Sequence, residues 1–364
     1  MPDADDAVSD PPRWSARELV APTAFFLGAL LLAAAFAMGP MIGTGLKKLP
    51  LSIDRTWVGD GADDAVVLDR CSLDAPAARV LPATVQQRQR TVAVRPADSD
   101  VVTLQTGTAL GVRSYTVDGR SVDAEQVCHE PTLAATIDRV TLDRRTAAPT
   151  GRSEIQYDDK RAAVAVPDRR GRTYVLPYGF RTPGEYFDVP TRQTVPLHEV
   201  GRTQIDGREV IRLRATIADT DLGALGTDPR GVIVRPASWF GRFPGVAPDR
   251  PLTATLHHRA IHDLYVDTAT GTLVDQRVEI DEEYRFTADE SARDPALADF
   301  VLPNLRATVT GDQRSRSDGA AAAQARAFPV RLTTRILPLA LGAAGAVIVI
   351  GGAVVLARSA RRPR

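Results

Sequence analysis

The chain has 364 residues with 45 basic and 45 acidic side chains, so its formal net charge is +0. Nucleic-acid binding needs a basic surface, and this balance predicts no nucleic-acid partner. The sequence contains no Gly-x-Ser-x-Gly elbow, phosphate loop or His-Glu-x-x-His pattern. We therefore predict neither catalysis nor a cofactor.

Two stretches without charged side chains, residues 19–46 and 336–357, lie near opposite ends of the chain. A bilayer core of about 30 Å is crossed by roughly 20 apolar helical residues, so both stretches are predicted to be transmembrane helices. The first has an alternative reading as a secretory signal, because Ala35-Phe36-Ala37 is a small-x-small cleavage pattern. Its long polar leader and its continuation past that site favour an uncleaved anchor.

Charges at the chain ends indicate an orientation. The arginines of residues 358–364 predict a basic cytoplasmic tail, and two spans then place residues 1–18 in the cytoplasm as well. The region between the spans would be extracytoplasmic, and the protein would be a two-pass protein of the plasma membrane.

Residues 47–317 are predicted to form a mainly β (α+β) domain of antiparallel sheets, built from short strands separated by turns. Asp118-Gly119 and Asp206-Gly207 each separate two strand-like runs. Asp-Gly is a strong hairpin signal because a type I′ turn requires positive φ at both central positions. A third hairpin is predicted across residues 267–271. Residues 318–335 are Ala-rich and predict a juxtamembrane helix or stalk, with a flexible linker as the alternative.

The chain has two cysteines, Cys71 and Cys128, both in the middle region. A lone pair in an exported domain favours a disulfide, and two unpaired buried thiols are the alternative. His257, His258 and His262 form the one histidine cluster. Their neighbours have strand character, which would point the first two to opposite faces, so no metal site is predicted.

The segment 222–252 is rich in Gly and Pro and contains Trp239, Phe240 and Phe243. Such a segment excludes long regular elements, while its aromatic side chains require burial somewhere. Two interpretations are open. These side chains pack beneath a long loop, or they bind ligand at the mouth of an apolar cavity or face the membrane.

Several phrases of the sequence resemble an actinobacterial membrane-protein family of unknown function labelled the porin PorA family. The resemblance rests on Pro177-Tyr178-Gly179-Phe180, Glu185-Tyr186-Phe187-Asp188, Val195-Pro196-Leu197, Asp206-Gly207-Arg208-Glu209-Val210, Tyr265-Val266-Asp267, Thr270-Gly271 and Val274-Asp275. It implies a two-span envelope protein with a β-rich extracytoplasmic domain. Some members of that family look connected with the maturation of lipomannan and lipoarabinomannan, which implies a lipid or lipoglycan partner.

These observations lead to two functional expectations. The domain binds or transfers a lipid or lipid-linked glycan in cell-envelope biogenesis, or it is a structural factor that recruits envelope biosynthesis proteins. Porin activity is not expected, because short strands and two helices per chain do not enclose a pore. The oligomeric state is left open.

Overall fold

The structure is a computed structural model that describes residues 16–158, 160–180 and 184–361. Most of the predicted N-terminal tail and the last three residues of the basic tail lie outside the described residues. The chain divides into two compact units, one of Met1–Lys47 with Ala327–Arg364 and one of Lys48–Arg326. The helices are α1 (Ala16–Met38), α2 (Thr44–Leu46), α3 (Ala124–Val127), α4 (Leu222–Leu225), α5 (Ala237–Phe240), α6 (Ala288–Arg293), α7 (Gln313–Arg331) and α8 (Leu337–Ala360).

The unit Lys48–Arg326 is built on one large antiparallel sheet, which confirms the predicted fold class. Its strands follow the order β11-β12-β14-β15-β16-β1-β3-β4-β6-β7-β8, with β13, β2 and β5 beside this path, and β9 pairs with β10 separately. The strands are β1 (Asp54–Gly61), β2 (Val66–Leu68), β3 (Val80–Ala97), β4 (Val101–Val117), β5 (Arg120–Asp123), β6 (Thr132–Asp143), β7 (Pro149–Gln156), β8 (Val164–Ala165), β9 (Glu185–Phe187), β10 (Thr194–Pro196), β11 (His198–Ile205), β12 (Arg208–Asp221), β13 (Val232–Pro236), β14 (Pro251–Asp267), β15 (Leu273–Phe286) and β16 (Leu302–Gly311).

All three predicted hairpins are present. Asp118 and Gly119 have φ of 50° and 72°, and Asp206 and Gly207 have φ of 45° and 75°, as a type I′ turn requires. The expectation of short strands was wrong, because β3 and β4 run for 18 and 17 residues. Polar and charged side chains along β3 look like strand ends in the sequence, but the backbone pairing continues through them.

The sheet is strongly curved. β15 and β3 are three strand steps apart, about 14 Å in a flat sheet. Nevertheless, the Gln276 Nε2 atom on β15 donates to the Gln89 Oε1 atom on β3 at 3.4 Å. Side chains on one face of the sheet therefore converge, and this face is concave.

The first half of α7 packs on the sheet. Ala320 and Ala323 are buried in a cluster with Val210 of β12 and Val274 of β15. A Cβ atom added to Gly319 would lie 2.1 Å from the Val274 carbonyl oxygen, so only glycine permits this approach. The predicted stalk region is thus helical, and its first residues belong to the β-rich unit, which extends to Arg326.

Cys71 and Cys128 form the predicted disulfide. It joins the 3₁₀ turn Arg70–Asp74 to the residue after α3, with the Cα atoms 5.5 Å apart. The prediction is confirmed, and the bond closes a large loop that includes β3, β4 and β5.

The other unit contains two long apolar helices packed against each other through small residues. A Cβ atom added to Gly28 would lie 3.0 Å from the Gly345 carbonyl oxygen. One added to Gly352 would lie 3.0 Å from the Cβ atom of Ala24. These contacts make the helices antiparallel, with backbones as close as in transmembrane pairs. Only 11% of the apolar window in each helix is buried. The protein is therefore a membrane protein with two transmembrane helices.

Candidate functional site

The concave face of the sheet encloses a cavity of about 130 Å³. Strands from both halves of the sheet line it, including β3, β4 and β6 on one side and β14 and β15 on the other. A covering segment, residues 164–180 and 184–190, covers it in part together with Tyr157 and a short loop at Asp228 and Arg230. Most of the lining side chains carry a nitrogen or oxygen atom, but more of the surface that faces the cavity is apolar than polar, so the cavity combines apolar walls with several polar groups.

Alternation along two central strands places the functional groups. In β14 the buried positions Leu252, Ala254 and Leu256 are followed on the same face by His258. In β15 the same face carries Gln276 and, six residues on, Glu282. Because the side-chain period of a strand is two, these polar groups occupy positions that the surrounding pattern fills with core residues.

The covering segment is fixed by buried charges and by backbone contacts. The Arg169 guanidinium donates to both carboxylate oxygens of Asp138 on β6, at 2.6 and 2.8 Å, and both side chains are buried. Tyr174, which lines the cavity, donates its hydroxyl to the same carboxylate at 2.6 Å. At the other side, the Leu176 amide donates to the Gly271 carbonyl in the β14–β15 turn at 3.1 Å.

A first polar network centres on Glu282. Its Oε1 atom lies 3.0 Å from His258 Nδ1, and its Oε2 atom accepts from Asn304 Nδ2 at 2.7 Å and from Arg230 Nη1 at 3.0 Å. Arg230 also forms a bidentate pair with Asp228, at 3.1 and 2.7 Å. His258 Nε2 is buried and has no hydrogen-bond partner. One ring nitrogen beside the cavity is therefore available.

A second network joins the covering segment to β14. His262 Nε2 lies 3.2 Å from Asp188 Oδ1, and His262 Nδ1 lies 3.3 Å from the Tyr186 hydroxyl. The other oxygen of Asp188 accepts from the Thr191 amide at 3.0 Å and from its hydroxyl at 2.7 Å. The cover is thus attached to the same strand that carries the first network.

Burial and pairing act against each other on the pKa values of these groups. Burial raises the pKa of Glu282, but the charge of Arg230 and the His258 hydrogen bond outweigh it and leave this pKa well below its usual range. Burial lowers the pKa of His258, but Glu282 reverses that effect and leaves it raised. Asp188 also has a lowered pKa, because its hydrogen bond to His262 and nearby positive charge outweigh its burial. The two carboxylates are therefore ionised at neutral pH.

Trp239, Phe240 and Phe243 lie elsewhere on the domain. Trp239 and Phe240 are only 3% and 8% exposed, and they share a core cluster with Phe286 and Leu297. Phe243 is half-buried against the same cluster. None of the three is among the residues that line the cavity. Their surroundings are those of a packed core, which corresponds to the first of the two interpretations, and not of a cavity mouth.

The histidines His257, His258 and His262 all lie on β14, as their strand-like neighbours indicate. The contacts of their ring nitrogens are with carboxylates, an arginine and the Tyr186 hydroxyl. In the described part of the chain, the one group with metal-ligand spacing is Asp69, Cys71 and Cys128. Its two sulfur atoms are joined in the disulfide, so no thiolate is available there.

A family model described as Porin PorA matches residues 20–354, which include most of α1 and α8 and the whole β-rich unit. The chain belongs to the PorA family. A curated relative from Corynebacterium resistens, also called Porin PorA, is 29% identical over 147 residues. That match covers 38% of this chain and 33% of the relative, so it spans about a third of the relative's length.

One phrase that carried the PorA-family resemblance contributes directly to the cavity. Glu185-Tyr186-Phe187-Asp188 supplies the two lining side chains Tyr186 and Asp188, and Phe187 lies beneath the Arg169 guanidinium at 4.1 Å. The sequence draws attention to the histidines without predicting a site for them, and it predicts no role for Glu282, Arg230 or the glutamines. The signal that could have found Glu282 and Gln276 is the appearance of polar residues in the core phase of β15.

Proposed function

We propose that this PorA-family protein is a membrane-anchored envelope protein whose β domain binds a lipid or a lipid-linked glycan. The observation that carries the proposal is the cavity on the concave face of the sheet. Pockets that combine apolar walls with a few convergent polar groups are the usual form of a ligand site. Two transmembrane helices would keep such a site near membrane-embedded ligands. The proposal involves binding without catalysis.

The experiment is native mass spectrometry of the full chain extracted in a mild zwitterionic detergent. A retained mass that lipid extraction identifies as a lipid or glycolipid supports the proposal. The test variant is Ile280→Trp. It introduces a bulky side chain at a residue that lines the cavity, so it should lower the fraction of protein that retains a ligand. Protein that retains nothing, with the native fold verified by circular dichroism, would contradict the proposal.

We also propose that the β domain lies outside the cytoplasm. The Cys71–Cys128 disulfide supports this, because disulfides persist in oxidising compartments and are rare in the cytosol. Single cysteines at Asp118 and Ser359, in a chain with both native cysteines replaced, can be tested with an impermeant thiol reagent on intact cells. Labelling at position 118 alone is expected, and labelling at position 359 alone would reverse the assignment.

A second candidate is channel formation, which the printed name of the family and of its relative raises. The sheet path in the described residues is open and ends at β11 and β8. A pore would therefore need several copies of the chain, since an open sheet edge is not tolerated in hydrocarbon. Conductance steps in planar bilayers with the purified full chain would favour this candidate. Recruitment of envelope biosynthesis proteins remains the alternative if neither ligand nor conductance is found.

A further inference from the structure

The size of the cavity limits its ligand. An apolar cavity of about 150 Å³ accommodates one benzene ring, whereas pockets for larger ligands measure roughly 300–1,000 Å³. The cavity on the concave face has a volume of about 130 Å³. The volume is thus close to that of a benzene site, and the cavity is partly open. A substituted six-membered ring can therefore enter it with some substituents at the mouth, and a long acyl chain would have to lie outside it.

The charges around the cavity are already matched. Arg230 is paired with Asp228 and Glu282, and Asp188 is paired with His262. Among the cavity-lining residues that the structure describes, each guanidinium and carboxylate thus has a partner of opposite charge or a histidine. A buried ionic ligand would need a counter-charge that this arrangement does not offer. The lining is suited to a neutral ligand.

Among the cavity-lining side chains that the structure describes, His258 has a buried atom without a hydrogen-bond partner, Nε2. The side chain is 4% exposed, its Nδ1 atom is held by Glu282 at 3.0 Å, and its Nε2 atom has no partner. Buried polar atoms in folded proteins nearly always have a hydrogen-bond partner, so this nitrogen can take one from a group that enters the cavity. A hydroxyl group can donate to the neutral imidazole or accept from the charged one.

The remaining lining extends this pattern. Gln87, Thr108 and Thr136 supply an amide and two hydroxyls on the side of the cavity opposite β14. Tyrosine rings of the covering segment supply flat apolar faces. A polyhydroxylated ring presents both hydroxyl edges and an apolar C–H face, which is the chemistry that this lining complements.

We propose that the cavity takes one uncharged sugar ring, which hydrogen-bonds to His258 Nε2 and to Thr108. The inference deepens the proposed function and rests on it. It assigns the glycan part of a glycolipid to the cavity and leaves the acyl chains outside. The His258–Glu282 pair sets the orientation of the ring nitrogen that contacts the sugar.

The test is titration of the full chain in a zwitterionic detergent, since sugar-based detergents would compete. The probes are the methyl glycosides of mannose, glucose and arabinose, measured by saturation-transfer NMR and calorimetry. At least one glycoside is expected to bind saturably, and binding should weaken about tenfold or more in Thr108→Val. Thr116→Val is the matched control, because Thr116 lies on the same strand but is exposed. His258→Gln should also weaken binding.

Several outcomes separate this inference from the proposed function. A retained glycolipid with no glycoside binding, and with retention unchanged in Thr108→Val, overturns the sugar-ring assignment and leaves the proposed function standing. Tighter binding of inorganic phosphate or of a fatty acid than of every glycoside also overturns it. Glycoside binding without any retained lipid supports the assignment and contradicts the lipid part of the proposed function.

Discussion

The same two strands form a dry core at one end and a polar cavity at the other. At Leu256 and Tyr284 the concave face belongs to the aromatic cluster, whereas two residues along each strand it carries His258 and Glu282. What differs is the segment packed over the strands. The cover at the dry end is α5 and its loop, with packed aromatic rings, whereas the cover at the other end brings Tyr186 and Asp188.

The two ends satisfy their buried groups in different ways. In the aromatic cluster, Phe240 meets Phe286 edge-on at 4.9 Å and Phe286 stacks on Phe300 at 4.4 Å. Its stability comes from apolar area and ring contacts. At the cavity, stability depends on complete pairing of charges. One sheet face can therefore support both a rigid core and a cavity when the segment packed over it changes.

The largest loss of stability is expected at the aromatic cluster. Trp239→Ala should lower the free energy of unfolding by an amount at the upper end of about 3–5 kcal/mol, because it leaves a cavity. It also removes the indole hydrogen bond to the Ser72 carbonyl, which is 2.9 Å long. Urea unfolding measures the loss. Val234→Ala, at an exposed position on the neighbouring β13, is the control and should change stability by less than about 0.5 kcal/mol. Equal effects of the two changes would refute the assignment of Trp239 to the core.

The next largest loss of stability is expected when the charge network of the cavity is broken. Arg230→Met should cost about 3 kcal/mol, because Asp228 and Glu282 would remain buried without their common partner. Adding Glu282→Gln should recover part of the loss, since it removes one of the two carboxylates that Arg230 had paired. If the double variant is less stable than the single variant, measured by the same unfolding curve, the network does not act as described.

A smaller effect on stability is expected at acidic pH. The lowered pKa of Asp188 means that its contribution to stability is present above its unfolded value near 3.8 and is lost as the pH falls through its folded pKa. Asp188→Asn should cost about 1–2 kcal/mol at pH 7 through weakened hydrogen bonds. It should also flatten the decline in unfolding free energy below about pH 5. If the unfolding free energy of this variant declined at acidic pH as it does in the parent protein, the pKa of Asp188 would not differ between the folded and unfolded states.

The smallest effect has the opposite pH direction. The raised pKa of His258 means that its contribution is fully present below its unfolded value near 6.5 and is lost as the pH rises through its folded pKa. His258→Gln should remove this alkaline decline while leaving the acid limb in place. The measurement is the free energy of unfolding between about pH 6 and pH 9. A slope that persists in the variant would assign the titration to another group.

Local features were predictable where one residue type determines the backbone conformation. Asp-Gly turns require positive φ, so the hairpins at Asp118 and Asp206 followed from the sequence. The two spans followed from uninterrupted apolar composition, and the disulfide followed from two isolated cysteines in a region that the sequence predicts to be exported.

The cavity did not follow in the same way. Glu282 and Arg230 lie on different elements and meet only because the sheet curves and the loop at Asp228 folds over it. Long-range contacts of this kind leave no local pattern in the sequence. The aromatic residues of the segment 222–252 attracted attention for their composition, which indicates burial but does not distinguish core from cavity.

The close approach of Gly43 to Thr334 brings together the two ends of a very long chain segment. A Cβ atom at Gly43 would lie 2.6 Å from the Thr334 methyl group, so the chain leaves and rejoins the helix pair at almost one point. About 290 residues are therefore inserted between two adjacent positions. Loop-closure entropy grows only with the logarithm of loop length, by about 0.6 kcal/mol for each doubling. Surface loops of the β domain can lengthen or shorten considerably with little change in how firmly the two helices associate.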